Sequence, residues 1–341
     1  MVNAQEEVSY KGIVKGNNEI PCSEVINETY ICFEYIVEIE ESEEEKTTMP
    51  IFSETEKPKF LEGDRVYVTS VSDEYGNEAW SITGYDRNSS ILILIGMFVL
   101  IAIVVGRRQG FGSIVSLFLT VIILYTWAIP KILAGADVIF IGVLTVIITL
   151  IIIMYASHGF SMKSTIAILS TGIGITIVAI LAKIFSNLIK VDGSGSEEAF
   201  ILLSQTGGNI NLGDVFFISI LIGAMGILDD VVMSQVSAIQ ELYKANSKLT
   251  TTQLYTQAMN IGRDHISSMV NTLFIAYAGS SLAVVMLLTY SSGGIGNILK
   301  TDVISEEIVR TITSSIGILL VVPITSIIAA KLIPHTISKK V

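Results

Sequence analysis

The stretch Gly223-Ala-Met-Gly-Ile-Leu-Asp-Asp-Val-Val-Met-Ser-Gln235 places two adjacent carboxylates, Asp229 and Asp230, inside an apolar run long enough to cross a membrane. A charge near the centre of a membrane helix costs at least ~2.5–3.5 kcal/mol, so such residues generally face protein or water and mark ion or proton paths. A second polar stretch, Asn260-Ile-Gly-Arg-Asp-His-Ile-Ser-Ser-Met-Val-Asn-Thr272, opens the next apolar segment. Asp230, Ser234, Ser237 and Glu241 recur at i, i+4, i+7 and i+11, one face of a helix. Asn260, Asp264, Ser267 or Ser268, and Asn271 repeat the same spacing. In hydrocarbon, polar stripes must be satisfied internally. The simplest packing sets them against each other, enclosing Asp229 or Asp230, Arg263, Asp264 and Asn271, with Ser234 and Glu241 along the same face.

Carboxylate, hydroxyl and amide oxygens on facing helices suit a hard cation or a proton relay. Arg263 would balance charge or take an anion by its planar fork. Gly223, Gly226 and the helix-breaking Gly262 would let the helices approach or unwind. A purely structural reading stands beside this one. If Asp229 sits near the membrane interface, Asp230 and Arg263 form an ion pair that closes a helical hairpin. Nothing resembles a Walker loop, a nucleophile elbow or a zinc-protease motif, so no catalytic residue, metal ligand or cofactor is expected. His158, His265 and His335 are far apart in sequence and fall near helix ends.

The elements that must position these residues follow from composition. The chain is 51% hydrophobic and 16% charged, with a mean hydropathy of +0.65; an average soluble domain is about 25% charged. Residues 1–87 hold 20 acidic and 7 basic residues, and residues 88–341 hold 12 and 14. The expectation is an acidic soluble domain, 1–87, before a polytopic transmembrane domain, 88–341. An acidic domain offers phosphates no basic contacts, so nucleic acid is not an expected partner; the lipid bilayer and a small ion or solute are.

Candidate strands are Val8–Lys15, Thr29–Glu40, Thr47–Phe52, Arg65–Ser72 and Ala79–Tyr85. Phe33, Tyr35, Val37 and Ile39 alternate with polar residues, the period of a half-buried strand. Gly63-Asp64 and Tyr75-Gly76-Asn77 supply turns, and Glu40–Glu45 fits a solvated hairpin tip. Five short strands suggest a small all-β barrel of the OB kind. Cys22 and Cys32 form either a disulfide across a hairpin or two reduced thiols.

Seven apolar segments follow, near 89–105, 112–130, 138–156, 165–188, 214–235, 266–289 and 308–332, each near the ~20 residues of a spanning helix. The fold class expected is therefore a membrane all-α helical bundle of about seven helices. Ala199–Ser204, in the polar loop 190–213, is apolar enough for a short interfacial helix. Arg107-Arg108, Lys163, Lys244 with Lys248 and Arg263, and Lys339-Lys340 fall on one side, assigned to the cytoplasm. The first domain then lies outside the plasma membrane. An upstream signal or helix would carry it across, and Val2-Asn3-Ala4 fits a cleavage site. No motif demands self-association, although helical membrane proteins of this size often form homo-oligomers.

Three stretches carry a resemblance: Gly106-Arg-Arg-Gln-Gly110, Gly223–Asp230 with Ser234 and Glu241, and Ile261–Ser281. Together they resemble the YibE/F-like family of bacterial membrane proteins over most of residues 85–335. The resemblance implies a soluble domain before membrane helices, and it aligns Asp229, rather than Asp230, with the family's acidic position. Family members are taken as transporters on topology alone. The functional expectation is a secondary transporter or permease, coupled to an ion or proton through the polar site between the fifth and sixth helices. The alternative is a non-transporting receptor or accessory subunit acting through the outer domain.

Overall fold

The computed structural model describes residues 9–21, 31–53, 57–72, 78–292 and 300–337. It divides into two compact units, Met1–Ile101 and Ala102–Val341.

In the first unit an antiparallel sheet is built from β1 (Ser9–Pro21), β2 (Ile31–Ile39), β3 (Glu45–Thr47), β4 (Ile51–Ser53), β5 (Arg65–Ser72) and β6 (Glu78–Tyr85), in the order β3-β2-β1-β5-β6 with β4 also on β2. The expected run Thr47–Phe52 is two strands of three residues, with Pro50, which has no N–H for a ladder, between them. Such short strands do not seal the sheet into the expected barrel. Among the described residues its edges are linked by one bridge between Thr48 and Trp80, with Met49 N–H donating to the Trp80 carbonyl at 2.7 Å, and by Lys46 over the Trp80 ring. Val8, Thr29, Tyr30, the Tyr75–Asn77 turn and Cys22 lie outside the described residues; Cys32 is disulfide-bonded.

The period-two reading of β2 holds: Phe33, Tyr35, Val37 and Ile39 are buried, and they pack with Val14, Phe60, Val66, Val68, Trp80 and Ile82. The Tyr35 hydroxyl accepts from the Lys59 N–H at 2.8 Å and the Phe60 N–H at 3.4 Å, while its ring meets Phe60 edge-on at 5.3 Å. Tyr35→Phe leaves those donors without an acceptor. It is expected to lower the stability of this unit by about 1–2 kcal/mol, readable as an earlier unfolding transition in near-ultraviolet circular dichroism.

The helices are α1 (Asn88–Ile123), continued by a π-helical turn (Leu124–Ala128) and α2 (Ile129–Leu133), then α3 (Val138–His158), α4 (Met162–Ile189), α5 (Glu197–Gln205), α6 (Leu212–Ala245), α7 (Thr251–Ser280), α8 (Leu282–Ser292) and α9 (Asp302–Ile337). Asp137, Ser161, Asn211 and Thr250 cap α3, α4, α6 and α7 through their side-chain oxygens. The apolar stretch Ala199–Ser204 forms most of α5.

Among the described residues five helical stretches are long and apolar enough to cross a membrane: 88–133, 138–158, 162–189, 212–245 and 302–335. The sequence led us to expect about seven, for two reasons. Segments 89–105 and 112–130 are joined in one 46-residue helical stretch. It bends at Arg107, whose φ is 49° and ψ −128°. A straight helix would part Ala102 from Gly110 by ~12 Å along its axis, yet a Cβ on Gly110 would land on the Ala102 carbonyl oxygen. Segment 266–289 is interrupted at Ser281, and α7 is too polar to count among the five.

Helices α4, α6 and α9 pack most extensively and form the centre of the second unit. Small residues set their spacing: a Cβ on Gly174 of α4 would sit 2.8 Å from Val321 of α9 and 3.3 Å from Leu228 of α6. A 630 Å³ cavity joins Arg108 to the end of α3 from Tyr155 to Phe160, and Lys163 interacts electrostatically with Glu241 and Lys244. Arg107-Arg108, Lys163 and Lys244 thus gather at one end of the bundle, while Lys339 and Lys340 lie outside the described residues.

A candidate polar site centred on Asp229

The 34-residue α6 carries Asp229 at its midpoint, 7% exposed, with carboxylate Oδ1 buried and without a hydrogen-bond partner. The apolar segment read from sequence ended at 235, but the helix continues to Ala245. Asp229 thus lies two-thirds along the apolar segment and at the middle of the full helix, whose added end carries Gln240, Glu241 and Lys244. Ile218, eleven residues earlier and so on the same face, is the side chain that a Cβ on Gly142 of α3 would strike at 2.5 Å. Asp229 therefore lies on the side of α6 turned toward α3.

The two polar stripes do not meet. Asp230 and Ser234 are exposed, and Glu241 is exposed and paired with Lys244 at 2.7 Å. On α7, Asn260, Arg263, Asp264, Ser267, Ser268 and Asn271 are all exposed. The alternative clasp is not formed either: Arg263 Nη1 donates to Asn260 on its own helix at 3.3 Å. The reason is the opposite face of α7. Leu254, Ala258 and Gly262 recur every four residues and are buried. A Cβ on Gly262 would stand 2.8 Å from Val322 and 3.1 Å from the Gln235 amide. Gly262 thus serves close packing inside an unbroken helix rather than unwinding, and α7 docks on that small-residue face with its polar stripe turned away.

Gln235 is the residue that the sequence reading passed over. It is 4% exposed. Its Nε2 donates to the Ala258 carbonyl of α7 at 2.9 Å and to Ser326 Oγ of α9 at 2.8 Å, tying three helices together. The available signal was an amide in an apolar run, which must find partners across helices. Gln235→Leu is expected to lower the melting temperature in detergent, at a cost of about 1–2 kcal/mol for two interhelical bonds; Gln235→Asn, with a shorter reach, should recover little of it.

Further polar groups line the interior of the bundle. Ser170 and Thr171 of α4 and Ser314 and Thr325 of α9 are at most 1% exposed, and each buried hydroxyl oxygen lacks a hydrogen-bond partner. With Asp229 they place unsatisfied oxygens on each of the three central helices. His158, at the end of α3, interacts electrostatically with Asp230. Among the described residues no group of three or more His, Cys, Asp and Glu could hold a metal ion.

An antiparallel sheet precedes a helical region with five membrane-capable helices and a buried acid at its core, the plan of a multi-pass membrane protein. Residues 94–335 match the YibE/F-like protein family, and the chain belongs to that family. No curated protein and no solved structure matches it.

Proposed function

We propose that this protein is a secondary transporter or permease of the bacterial plasma membrane, coupled to a proton or small cation through Asp229. The observation that carries this reading is the carboxylate at the midpoint of α6, buried with an unpartnered oxygen in a bundle whose other central helices present unpaired hydroxyls. A group so costly to bury is kept where it exchanges a proton or ion. The site is narrower than the stripe pairing expected from the sequence. It comprises Asp229 on the side of α6 turned toward α3, while Asp230, Arg263, Asp264 and Asn271 lie outside it. The bend at Arg107 and the α7–α8 pair supply two crossings beyond the five apolar stretches. The clustered basic residues support a cytoplasmic end there. The disulfide at Cys32 supports a first domain, an open variant of the OB-like barrel, on the oxidising side.

The test is proton flux into proteoliposomes holding a trapped pH-sensitive dye, under an imposed potassium diffusion potential. Wild-type protein should acidify the lumen faster than empty vesicles, Asp229→Asn should match empty vesicles, and Asp264→Asn should retain wild-type flux. Equal flux from wild type and Asp229→Asn would remove the proposed site.

A second reading, an accessory subunit or receptor, is favoured by the exposed polar face of α7, which in a membrane requires a protein or water neighbour. Deleting residues 1–87 separates the two: loss of the cellular phenotype with flux retained favours the receptor.

A further inference from the structure

At the end of the bundle away from the basic residues, α9 opens with Glu306, Glu307 and Arg310. Both glutamates are helical, and Glu306 is 8% exposed. Its Oε1 accepts the Gly195 N–H at 2.9 Å. Glu306 and Arg310, one helical turn apart, line a cavity of 280 Å³ together with Ser196, Glu198, Leu202 and Val215. The volume lies just under the ~300–1,000 Å³ of most ligand pockets, which suits a small ligand.

Glu306 and Arg310 interact electrostatically without forming a close ion pair. Arg310 forms an ion pair with Glu307 at 3.8 Å, too long for a hydrogen bond, and its guanidinium stands over the Phe216 ring at 5.5 Å. Its Nε is buried without a hydrogen-bond partner. Glu306 has one backbone N–H and no cation within ion-pair distance among the described residues. A buried carboxylate and a guanidinium with an unpartnered Nε thus face one small cavity whose wall also carries Ser196 and Glu198 and is apolar at Leu202 and Val215. We infer that this cavity binds a small zwitterion, its ammonium on Glu306, its carboxylate on Arg310 and its apolar part against Leu202 and Val215. A ligand bearing both charges meets both wall charges without adding net charge to a low-dielectric site, which neither a bare cation nor a bare anion does. The inference rests on this cavity alone and not on Asp229 or on transport.

The test is calorimetric titration of the full chain in detergent with glycine, L-alanine and L-leucine, alongside 3-methylbutylamine, 4-methylpentanoate and sodium chloride. At least one amino acid should bind saturably, and the amine, the acid and sodium should each bind at least about tenfold more weakly. Glu306→Gln keeps an acceptor for Gly195, and it and Arg310→Gln should each weaken amino-acid binding by about tenfold or more. Leu202→Trp, which fills the cavity and leaves both charges, should abolish binding while the melting temperature is kept. The inference fails if no amino acid binds, if the amine or sodium binds as tightly as the best amino acid, or if Glu306→Gln retains wild-type affinity. Failure of flux through Asp229 would leave this binding unchanged.

Discussion

Asp229→Asn is expected to yield a protein that melts several degrees higher in detergent than wild type and yet conducts no protons. The side chain sits at the middle of a 34-residue helix, 7% exposed, and one of its oxygens has no partner. A buried carboxylate without a full set of partners carries a large desolvation cost. Asparagine keeps the shape and one carbonyl oxygen while removing the charge, so most of that cost is relieved. The same substitution removes the group proposed to exchange a proton. A rise in stability with a loss of function is the signature of a residue retained for its chemistry. A purely structural acid would behave in the opposite way, with stability falling and any flux persisting. Paired melting curves and dye-reported flux on the same preparation distinguish the two.

Gly112→Val is expected to be strongly damaging to the second unit. A Cβ at Gly112 would land on the Ala156 carbonyl oxygen and stand 3.0 Å from the Ser157 Cα, so the obstacle is backbone and does not swing aside. One turn along α1, Ser116 Oγ and Ser157 Oγ lie 3.2 Å apart, a contact that requires the same close approach. Separating the two helices to admit valine should cost about 3 kcal/mol, the upper part of the overpacking range. Gly172 of α4 supplies the control, since a Cβ there meets nothing within 4 Å. Gly172→Ala should stabilise by up to ~1 kcal/mol, because alanine is the better helix former. Melting temperatures in one detergent read both, and a Gly112→Val protein as stable as wild type would show that α1 and α3 do not depend on this contact.

Much of the local structure was legible because it depends on near neighbours in sequence. The alternation Phe33, Tyr35, Val37, Ile39 marked the buried face of β2, and Gly63-Asp64 formed its turn, with Gly63 at φ 91° and the Asp64 carboxylate accepting the Leu61 N–H at 2.7 Å. The long apolar runs became α3, α4, α6 and α9. What misled was the step from one helix to the next. Asp230 and Asp264 share a spacing, and spacing fixes a face without saying which neighbour that face meets. Leu254, Ala258 and Gly262 supplied the stronger docking surface, and the polar face of α7 turned outward as a consequence. Glu306 and Arg310 were invisible as a site because their cavity partners, Ser196 and Leu202, lie about a hundred positions earlier in the chain.

The sequence by itself determined that an acidic β domain precedes a helical region of membrane-capable apolar segments, and that a carboxylate pair is carried inside an apolar helix. Periodicity and hydrophobicity are properties of single segments, and an isolated segment already contains them. Only the tertiary structure decided which of the two carboxylates is buried. Asp229 and Asp230 are chemically identical and one residue apart, so a rotation of about 100° around α6 separates the interior of the bundle from its surface. The direction of that rotation is set by where Ile218, Leu228 and Gln235 find glycines and hydroxyls on α3, α4, α7 and α9.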